Sequence, residues 1–181
     1  MACDFISAGR ALSCKDASGG LKNVYFSDSE ESAWTIDALT DEVDAVVGGP
    51  LDVYKYELKG TSTFEQTINS SRDNGTSFVE QTLTLSLQRM SAADNKAIKL
   101  LTWNNPRVLV EDYNGNVFLM GVENGADVSG GTIATGAAMG DFNGYTLTLS
   151  AMERVPAHFL VGSLASDLID EGGVSFDVNP V

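Results

Sequence analysis

Alternation of apolar and polar residues between positions 78 and 88 restricts the fold of this chain more than any other feature. The apolar residues Val79, Leu83, Leu85 and Leu87 alternate with Glu80, Thr82, Thr84, Ser86 and Gln88. A period of two residues places successive side chains on opposite faces of a strand, so the segment predicts a long strand with one buried face. Such a strand needs neighbouring strands and a second layer of structure to cover its apolar face.

The segment before this strand alternates in the same way. Residues 63–71 place Phe64, Gln66 and Ile68 opposite Glu65, Thr67 and Asn69. Between the two runs lies Arg72-Asp73-Asn74-Gly75, and Asn-Gly readily adopts the positive φ angles of a tight turn. We therefore predict a projecting β-hairpin over residues 60–78, whose outer part is too polar to pack on its own subunit.

Further strands are predicted at 51–59 and 145–152, and at 107–112 paired with 117–122 through a type I′ turn at Tyr113–Asn116. One helix is predicted after Ser91, which caps it together with Asp94, and Asn104-Asn105-Pro106 ends it. This pattern predicts a single mainly-β domain over residues 1–181, a β-sandwich or open barrel with one flanking α-helix.

Two segments are less regular. Residues 123–144 contain six glycines and predict a long glycine-rich loop between strands. Residues 160–181 predict a C-terminal arm, with a short helix around 164–170 and a final strand at 174–178. A loop of more than about 15 residues is uncommon in a compact domain unless it has a function.

The charge of the chain is strongly acidic. The formal net charge is −14, and eight acids follow one another without a basic residue between them: Asp28, Glu30, Glu31, Asp37, Asp41, Glu42, Asp44 and Asp52. A surface of this kind does not favour binding of nucleic acid, because binding requires Lys and Arg to neutralise the phosphates. The acids favour either simple solubility or a surface that lies beside DNA without binding it.

The sequence predicts no enzyme, no cofactor and no metal. His158 is the only histidine and lies among apolar neighbours, so we interpret it as structural. Cys3 and Cys14 are interpreted as small buried hydrophobic residues rather than ligands. No apolar run approaches the roughly 20 residues of a membrane helix, and charged residues interrupt the N-terminal segment, so we expect folding in a cytoplasm.

The C-terminal third resembles the tail tube (major tail) proteins of bacteriophages. The similar segments are Val117–Gly121, Glu123–Asp127, Gly130-Gly131-Thr132 and Gly140–Ala157, with its Gly-Tyr-Thr-Leu-Thr-Leu strand; near the N-terminus they are Cys14–Asp16, Gly19-Gly20 and Val24–Phe26. The resemblance implies a virion protein, assembled in the host bacterial cytoplasm. It implies hexameric rings that stack into a tube, other phage tail proteins as partners, and double-stranded DNA that passes without specific binding.

Under this hypothesis the hairpin reaches a neighbouring ring and the glycine-rich loop orders on assembly. The residues predicted at the assembly interface are Asn69, Ser71, Arg72, Asp73, Asn74, Gly130 and Gly131. Two alternatives stay open. One is another head–tail protein, such as a terminator, completion or decoration protein. The other is a β-sandwich module that binds carbohydrate or a receptor, supported by Trp34 and Trp103, although Trp103 is interpreted first as a core residue.

Overall fold

The computed structural model describes residues 15, 17–28, 34–46, 52–59, 61–161 and 177–180. The elements in these residues are β1 (Leu21–Ser27), β2 (Trp34–Ile36), β3 (Val43–Val46), β4 (Asp52–Glu57), β5 (Thr63–Ser71), β6 (Thr76–Gln88), α1 (Ala92–Leu101), β7 (Arg107–Asp112), β8 (Val117–Met120), β9 (Asp127–Ala134), β10 (Gly144–Glu153), β11 (His158–Phe159) and β12 (Asp177–Pro180). The predicted fold class, mainly β with one helix, is confirmed.

Two sheets pack face to face around the main core. The six-stranded sheet has the order β11-β8-β7-β1-β4-β12 and the four-stranded sheet the order β5-β6-β10-β9. Their pairings are antiparallel except that β12 joins β4 in parallel. The apolar side chains that the two sheets contribute to this core include Val24, Phe26, Leu83, Leu85, Val108, Val110, Met120, Tyr145, Leu147 and Leu149.

The alternation in the sequence accounts for the centre of the four-stranded sheet. In β6 the residues Val79, Leu83 and Leu85 are buried, and in β10 Leu147 and Leu149 are buried opposite them. Both strands therefore turn their aliphatic residues toward the six-stranded sheet and their hydroxyl residues away from it. The buried face predicted for β6 is confirmed, and in β10, for which the sequence left the direction open, Tyr145, Leu147, Leu149 and Ala151 point inward.

A small third layer covers the other face of the six-stranded sheet. Strands β2 and β3 pair with each other, and Trp34 and Val43 pack against Tyr25, Leu109 and Leu119 in a second apolar cluster. The buried His158 attaches to this layer through its Nδ1, which lies 2.9 Å from the Asp41 carbonyl oxygen. Asp37, Asp41, Glu42 and Asp44 of the acidic run belong to this layer and therefore lie on the side of the molecule away from the four-stranded sheet.

Helix α1 begins where the sequence predicts. The Ser91 hydroxyl accepts a hydrogen bond from the Asp94 amide at 3.0 Å and donates to the Asp94 carboxylate at 2.6 Å. The helix is attached to β10 because the Tyr145 hydroxyl donates to the Ser91 carbonyl oxygen. The interpretation of Trp103 as a core residue is wrong: its side chain is 71% exposed, with the Lys99 ammonium 4.7 Å from the ring centroid.

The predicted glycine-rich loop at 123–144 is replaced in part by a strand. Strand β9 occupies Asp127–Ala134 and pairs with β10. A strand forms despite Gly130 and Gly131 because β10 supplies backbone partners, and at Gly131 a Cβ would lie 2.7 Å from the Thr146 carbonyl oxygen. The loop is thereby shortened to residues 135–143.

The C-terminal arm and one predicted turn also differ from the structure. Strand β12 occupies Asp177–Pro180 rather than 174–178, and the helix predicted around 164–170 lies outside the described residues. The turn at Tyr113–Asn116 is not type I′, since only Gly115 has a positive φ, 85°. The Asp112 carboxylate determines its shape instead by accepting the backbone N–H groups of Asn114 and Asn116, both at 2.8 Å.

A short polar connection, residues 121–126, carries the chain from the six-stranded to the four-stranded sheet. The buried Gln81 side chain accepts the Gly121 N–H at 3.1 Å. The buried Glu153 carboxylate accepts the N–H groups of Glu123 and Asn124 at 3.2 and 3.0 Å. Burial raises the pKa of Glu153 more than these hydrogen bonds lower it. The connection is therefore held by both central strands of the four-stranded sheet.

Candidate assembly surfaces

The outward side of the four-stranded sheet is a surface rich in hydroxyl groups, which we call the hydroxyl face. Strand register places on it Thr63, Glu65 and Thr67 of β5; Glu80, Thr82, Thr84 and Ser86 of β6; Thr146, Thr148 and Ser150 of β10; and Asp127 and Thr132 of β9. Three of these residues are acids and none is Lys or Arg. The hydroxyl face therefore presents only neutral and negative groups to solvent.

Strands β5 and β9 form the two edges of this sheet. Because the four strands alternate in direction, the two edges run antiparallel to each other. Edge strands are commonly protected by Lys, Pro or a bulge. The nine residues of β5 include neither Lys nor Pro, and their register with β6 is regular. Strand β9 has one irregularity, at Ser129, whose hydroxyl donates to the Thr148 carbonyl oxygen.

The hairpin of β5 and β6 extends beyond the rest of the sheet. Pairing between β6 and β10 ends at Val79 with Glu153, whereas β5 and β6 continue to pair as far as Ser71 with Thr76. The turn at residues 72–75 is exposed, and the Asn74 N–H donates to the Ser71 hydroxyl. The projecting part is shorter than the predicted segment 60–78, because β6 pairs with β10 as far as Val79 and only residues 69–78 extend past that pairing.

The predicted interface residues fall into two separate groups. Asn69, Ser71, Arg72, Asp73 and Asn74 lie together at the hairpin tip. Gly130 and Gly131 lie on β9, the opposite edge of the sheet, and are exposed. The structure thus brings five of the seven residues together, and the two glycines belong to a different surface.

No family model matches this chain, and neither the curated proteins nor the solved structures give a match. The resemblance to tail tube proteins therefore stays a prediction. Across the described residues, no three His, Cys, Asp or Glu side chains are grouped so that they could hold a metal ion. The described part of the chain also contains no helix long and apolar enough to cross a membrane.

Sequence analysis missed a polar cleft on the outer face of the six-stranded sheet. The cleft has a volume of about 640 Å³, and three lysines, Lys22, Lys55 and Lys59, contribute to its wall. At its base the Glu111 carboxylate accepts hydrogen bonds from Lys22 at 2.7 Å, Asn23 at 2.6 Å and Tyr25 at 2.9 Å. These residues are brought together by the pairing of β1 with β7, so their separation in sequence gave no signal.

The Glu111 cluster gives a pH prediction. Burial raises the pKa of Glu111, but the hydrogen bonds from Lys22, Asn23 and Tyr25 together outweigh it and hold the pKa below its usual value. Because the folded-state pKa is lowered, the carboxylate stabilises the protein above its unfolded-state pKa, and this stabilisation is lost as pH falls through the folded-state pKa. We expect Glu111→Gln to lower the free energy of unfolding at pH 7 by about 1–2 kcal/mol.

Urea denaturation of both proteins between pH 7 and pH 3 checks this prediction, since the difference should shrink on acidification. Glu57→Gln is the control, because Glu57 also lines the cleft but its side chain is 69% exposed. A difference between wild type and Glu111→Gln that stays constant down to pH 3 would contradict the role of the charge.

Proposed function

We propose that this chain is the subunit of a bacteriophage tail tube, which assembles into stacked rings around a DNA-conducting channel. The observation that carries the proposal is the four-stranded sheet, with its two antiparallel edges and its hydroxyl face free of basic residues. The sequence resemblance suggests the family, and the edges of this sheet offer a way for subunits to join into a ring.

The route to a ring follows from strand direction. If copies are arranged around an axis with their hydroxyl faces inward, β9 of one copy meets β5 of the next. These edges are antiparallel, so the alternation of strands continues across the junction and the backbone groups of both edges find partners. A head-to-tail contact of this kind closes into a ring when its rotation permits.

The expected dimensions suit a duplex. Six copies of a four-stranded sheet give about 24 strands, and at a spacing of about 4.8 Å the backbone radius is about 18 Å for strands along the axis and larger for tilted ones. This radius leaves room for double-stranded DNA inside the side chains. Six copies is the number that the resemblance implies.

The hydroxyl face suits the wall of such a channel. Its hydroxyl groups hydrogen-bond water, and the carboxylates of Glu65, Glu80 and Asp127 repel phosphate over a Debye length of about 8–10 Å. The sequence indicated only that the acidic surplus could line the channel and did not identify which acids face it. Asp37, Asp41, Glu42 and Asp44 of the acidic run lie in the β2–β3 layer, so this arrangement places them on the outside of the ring.

The direct test is assembly. Purified protein is concentrated at several salt concentrations, sedimented, and imaged by negative stain. Rings or tubes with a central channel are the expected result. A protein that stays monomeric up to millimolar concentration in every salt condition would overturn the proposal.

A second test concerns the channel wall. Replacing Thr84 and Thr148, which pair at the centre of the hydroxyl face, by lysine should make assembled tubes retain DNA. Each lysine that contacts a phosphate adds about one counterion to the salt dependence, so retention by the double variant should be strong at low salt and lost at high salt. Co-sedimentation of labelled duplex DNA with tubes measures the effect.

The matched control adds the same charge elsewhere. Thr35→Lys with Thr40→Lys places two lysines in the exposed part of the β2–β3 layer. If both double variants retain short duplexes equally, or if neither does, the hydroxyl face is not the channel wall.

The polar cleft favours a second candidate, a module that binds an acidic carbohydrate or receptor. Three lysines converge on it in a chain of net charge −14, and the exposed Tyr113 adds aromatic surface. Trp34 is buried and offers no platform, in contrast to the expectation from sequence. Binding of sulfated or sialylated glycans by a persistent monomer, abolished by Lys55→Ala with Lys59→Ala, would favour this candidate over the tube.

A further inference from the structure

Four Asn-Gly pairs occur in the described part of the chain, and in each the asparagine can react with its own backbone. The pairs begin at Asn74, Asn114, Asn124 and Asn143. The backbone nitrogen of the glycine attacks the side-chain carbonyl carbon of the asparagine, since a glycine has no Cβ to hinder the approach. The attack requires an amide side chain that can rotate and a glycine N–H that is free to reach it. The fold decides which of the four pairs meets both conditions.

The pair at Asn114 is held at both of its reacting groups. The Asn114 side chain donates to the Ser18 carbonyl oxygen at 2.8 Å and to the Asp112 carboxylate at 3.0 Å. Its own carbonyl oxygen accepts the Ser18 N–H at 2.8 Å. The Gly115 N–H donates to the Asp112 carbonyl oxygen at 3.4 Å. Both groups would have to leave these bonds before they could react.

The pair at Asn124 lies in the connection between the two sheets and is held in the same way. The Asn124 side chain donates to the Met152 carbonyl oxygen at 2.7 Å, and its backbone N–H donates to the buried Glu153 carboxylate. The Gly125 N–H donates to the Gly121 carbonyl oxygen at 3.0 Å. Neither reacting group can therefore move without breaking a hydrogen bond.

The pair at Asn143 is held mainly by its backbone. Gly144 is buried between β6 and β9 as the first residue of β10, and a Cβ at this glycine would overlap the Leu87 carbonyl oxygen. The Asn143 carbonyl oxygen accepts the Arg89 N–H at 2.8 Å, and the Asn143 side chain donates to the Thr135 carbonyl oxygen at 3.4 Å. The glycine nitrogen cannot turn toward the amide without opening this end of the sheet.

The pair at Asn74 differs from the other three. It lies in the exposed turn at residues 72–75, and among the described residues neither the Asn74 side chain nor the Gly75 N–H makes a hydrogen bond. The Asn74 backbone N–H donates to the Ser71 hydroxyl at 3.3 Å, which leaves the side-chain amide unattached. Open space surrounds Gly75, where a Cβ would meet no atom within 4 Å. Both reacting groups are therefore free to approach each other.

From this difference we infer that Asn74 is a self-modification site, at which the asparagine deamidates in the folded protein. The Gly75 nitrogen gives up its proton to solvent base and bonds to the Asn74 side-chain carbonyl carbon. The bond from that carbon to the amide nitrogen breaks, and this nitrogen takes up a proton and leaves as ammonia. A cyclic imide remains, and water opens it at either carbonyl group to yield aspartate or β-linked isoaspartate.

The reaction changes both the charge and the backbone of the hairpin tip. Either product adds a carboxylate beside Asp73 in a chain of net charge −14, so anion exchange separates the modified form. Isoaspartate also routes the main chain through the side chain, which lengthens the turn between Ser71 and Thr76, the last pair of the hairpin. Because the reaction takes place within one turn of one chain, it does not depend on assembly into the proposed tube.

Peptide mapping of aged protein is the direct test, because trypsin separates Asn74 from the other three pairs. Cleavage at arginine releases residues 73–89, in which Asn74 is the one asparagine, and residues 108–154, which contain the other pairs. During incubation of the folded protein at mildly alkaline pH, the product should accumulate in residues 73–89. The other pairs should each react roughly ten- to a hundred-fold more slowly, since about two hydrogen bonds must break first.

The unfolded protein is the matched reference. In guanidinium chloride the protecting hydrogen bonds are absent, so all four pairs should deamidate at similar rates. Fragment-ion spectra assign each product to its asparagine, and an isoaspartate-specific methyltransferase with labelled S-adenosylmethionine identifies the β-linked form. The inference is overturned if residues 73–89 stay unmodified in the folded protein while the unfolded protein reacts, or if residues 108–154 react equally fast in the folded protein.

Substitutions test the attack by the glycine nitrogen. Gly75→Ala should slow deamidation of Asn74 about ten-fold or more, because a Cβ hinders the attacking nitrogen. Gly130→Ala is the control, since Gly130 is also exposed with open space around a Cβ but does not follow an asparagine. Asn74→Gln should leave residues 73–89 without the product, because the longer side chain closes a ring far more slowly. An Asn74 rate that is the same in Gly75→Ala and in Gly130→Ala would overturn the mechanism.

Discussion

A single proline in β5 is expected to abolish ring formation while the monomer stays folded. Successive N–H groups of a strand point to opposite sides, so of Thr67 and Ile68 one directs its N–H toward β6 and the other toward the open edge. Proline at the outward-directed position removes a donor that the neighbouring copy needs and leaves the hairpin bonds unchanged. Negative stain should show no rings of this variant even at ten times the concentration at which the wild type assembles.

Thr67→Pro and Ile68→Pro serve as controls for each other. Proline at the inward-directed position breaks a bond between β5 and β6 and should lower the midpoint of thermal unfolding of the monomer. The other variant should unfold at the wild-type midpoint. If the variant of wild-type stability still forms rings, the β5 edge is not a subunit junction and the route to a ring through sheet edges is wrong.

The strands at the centre of the fold were predictable because their residue pattern indicates both the strand conformation and which side chains are buried. Alternating leucine and threonine predict strand, face and burial together in β6, and in β10 they predict the strand and its alternation. The helix start was predictable for a similar reason, since Ser91 and Asp94 form the same hydrogen bonds in any helix that begins there. These signals are local, and the structure retains them.

Strand β9 could not be predicted because its stability comes from its neighbour. Gly130 and Gly131 favour a loop by themselves, yet β10 supplies partners along the whole segment and leaves no room for a Cβ at Gly131. For Trp103 the error was the reverse, because a side chain predicted to be buried is exposed. Its size suggests the core, but it follows a helix whose described buried residue is Ile98 alone.

Whether the candidate surfaces could be predicted from the sequence depended on the strand register. The hairpin tip could be located from its Asn-Gly turn and polar strands. The hydroxyl face could not, because Glu65, Glu80 and Asp127 lie on three strands and come to one side only through the pairings of β5, β6, β10 and β9. A dense acidic run was easier to see in the sequence, and its residues Asp37, Asp41, Glu42 and Asp44 lie in the β2–β3 layer rather than on the hydroxyl face.

A large loss of stability from a small substitution is expected at Gly125, in the connection between the two sheets. Gly125 has a φ of 76°, and a Cβ there would lie 2.7 Å from the Asn105 carbonyl oxygen. The backbone around it cannot move freely, since the neighbouring Ala126 N–H donates to the Pro106 carbonyl oxygen at 2.9 Å and Ala126 is fully buried. Gly125→Ala should lower the free energy of unfolding by about 3–5 kcal/mol, from a left-handed backbone and a displaced connection.

Gly115→Ala separates these two causes. Gly115 also has a positive φ, 85°, but a Cβ there would meet open space. Its substitution should cost only about 1–2 kcal/mol, the cost of a left-handed backbone alone. Urea denaturation of both variants measures the difference, which isolates the steric conflict with Asn105. Equal costs would show that the connection yields to the added methyl group, and the two sheets would then be joined less rigidly than ring assembly through one of them requires.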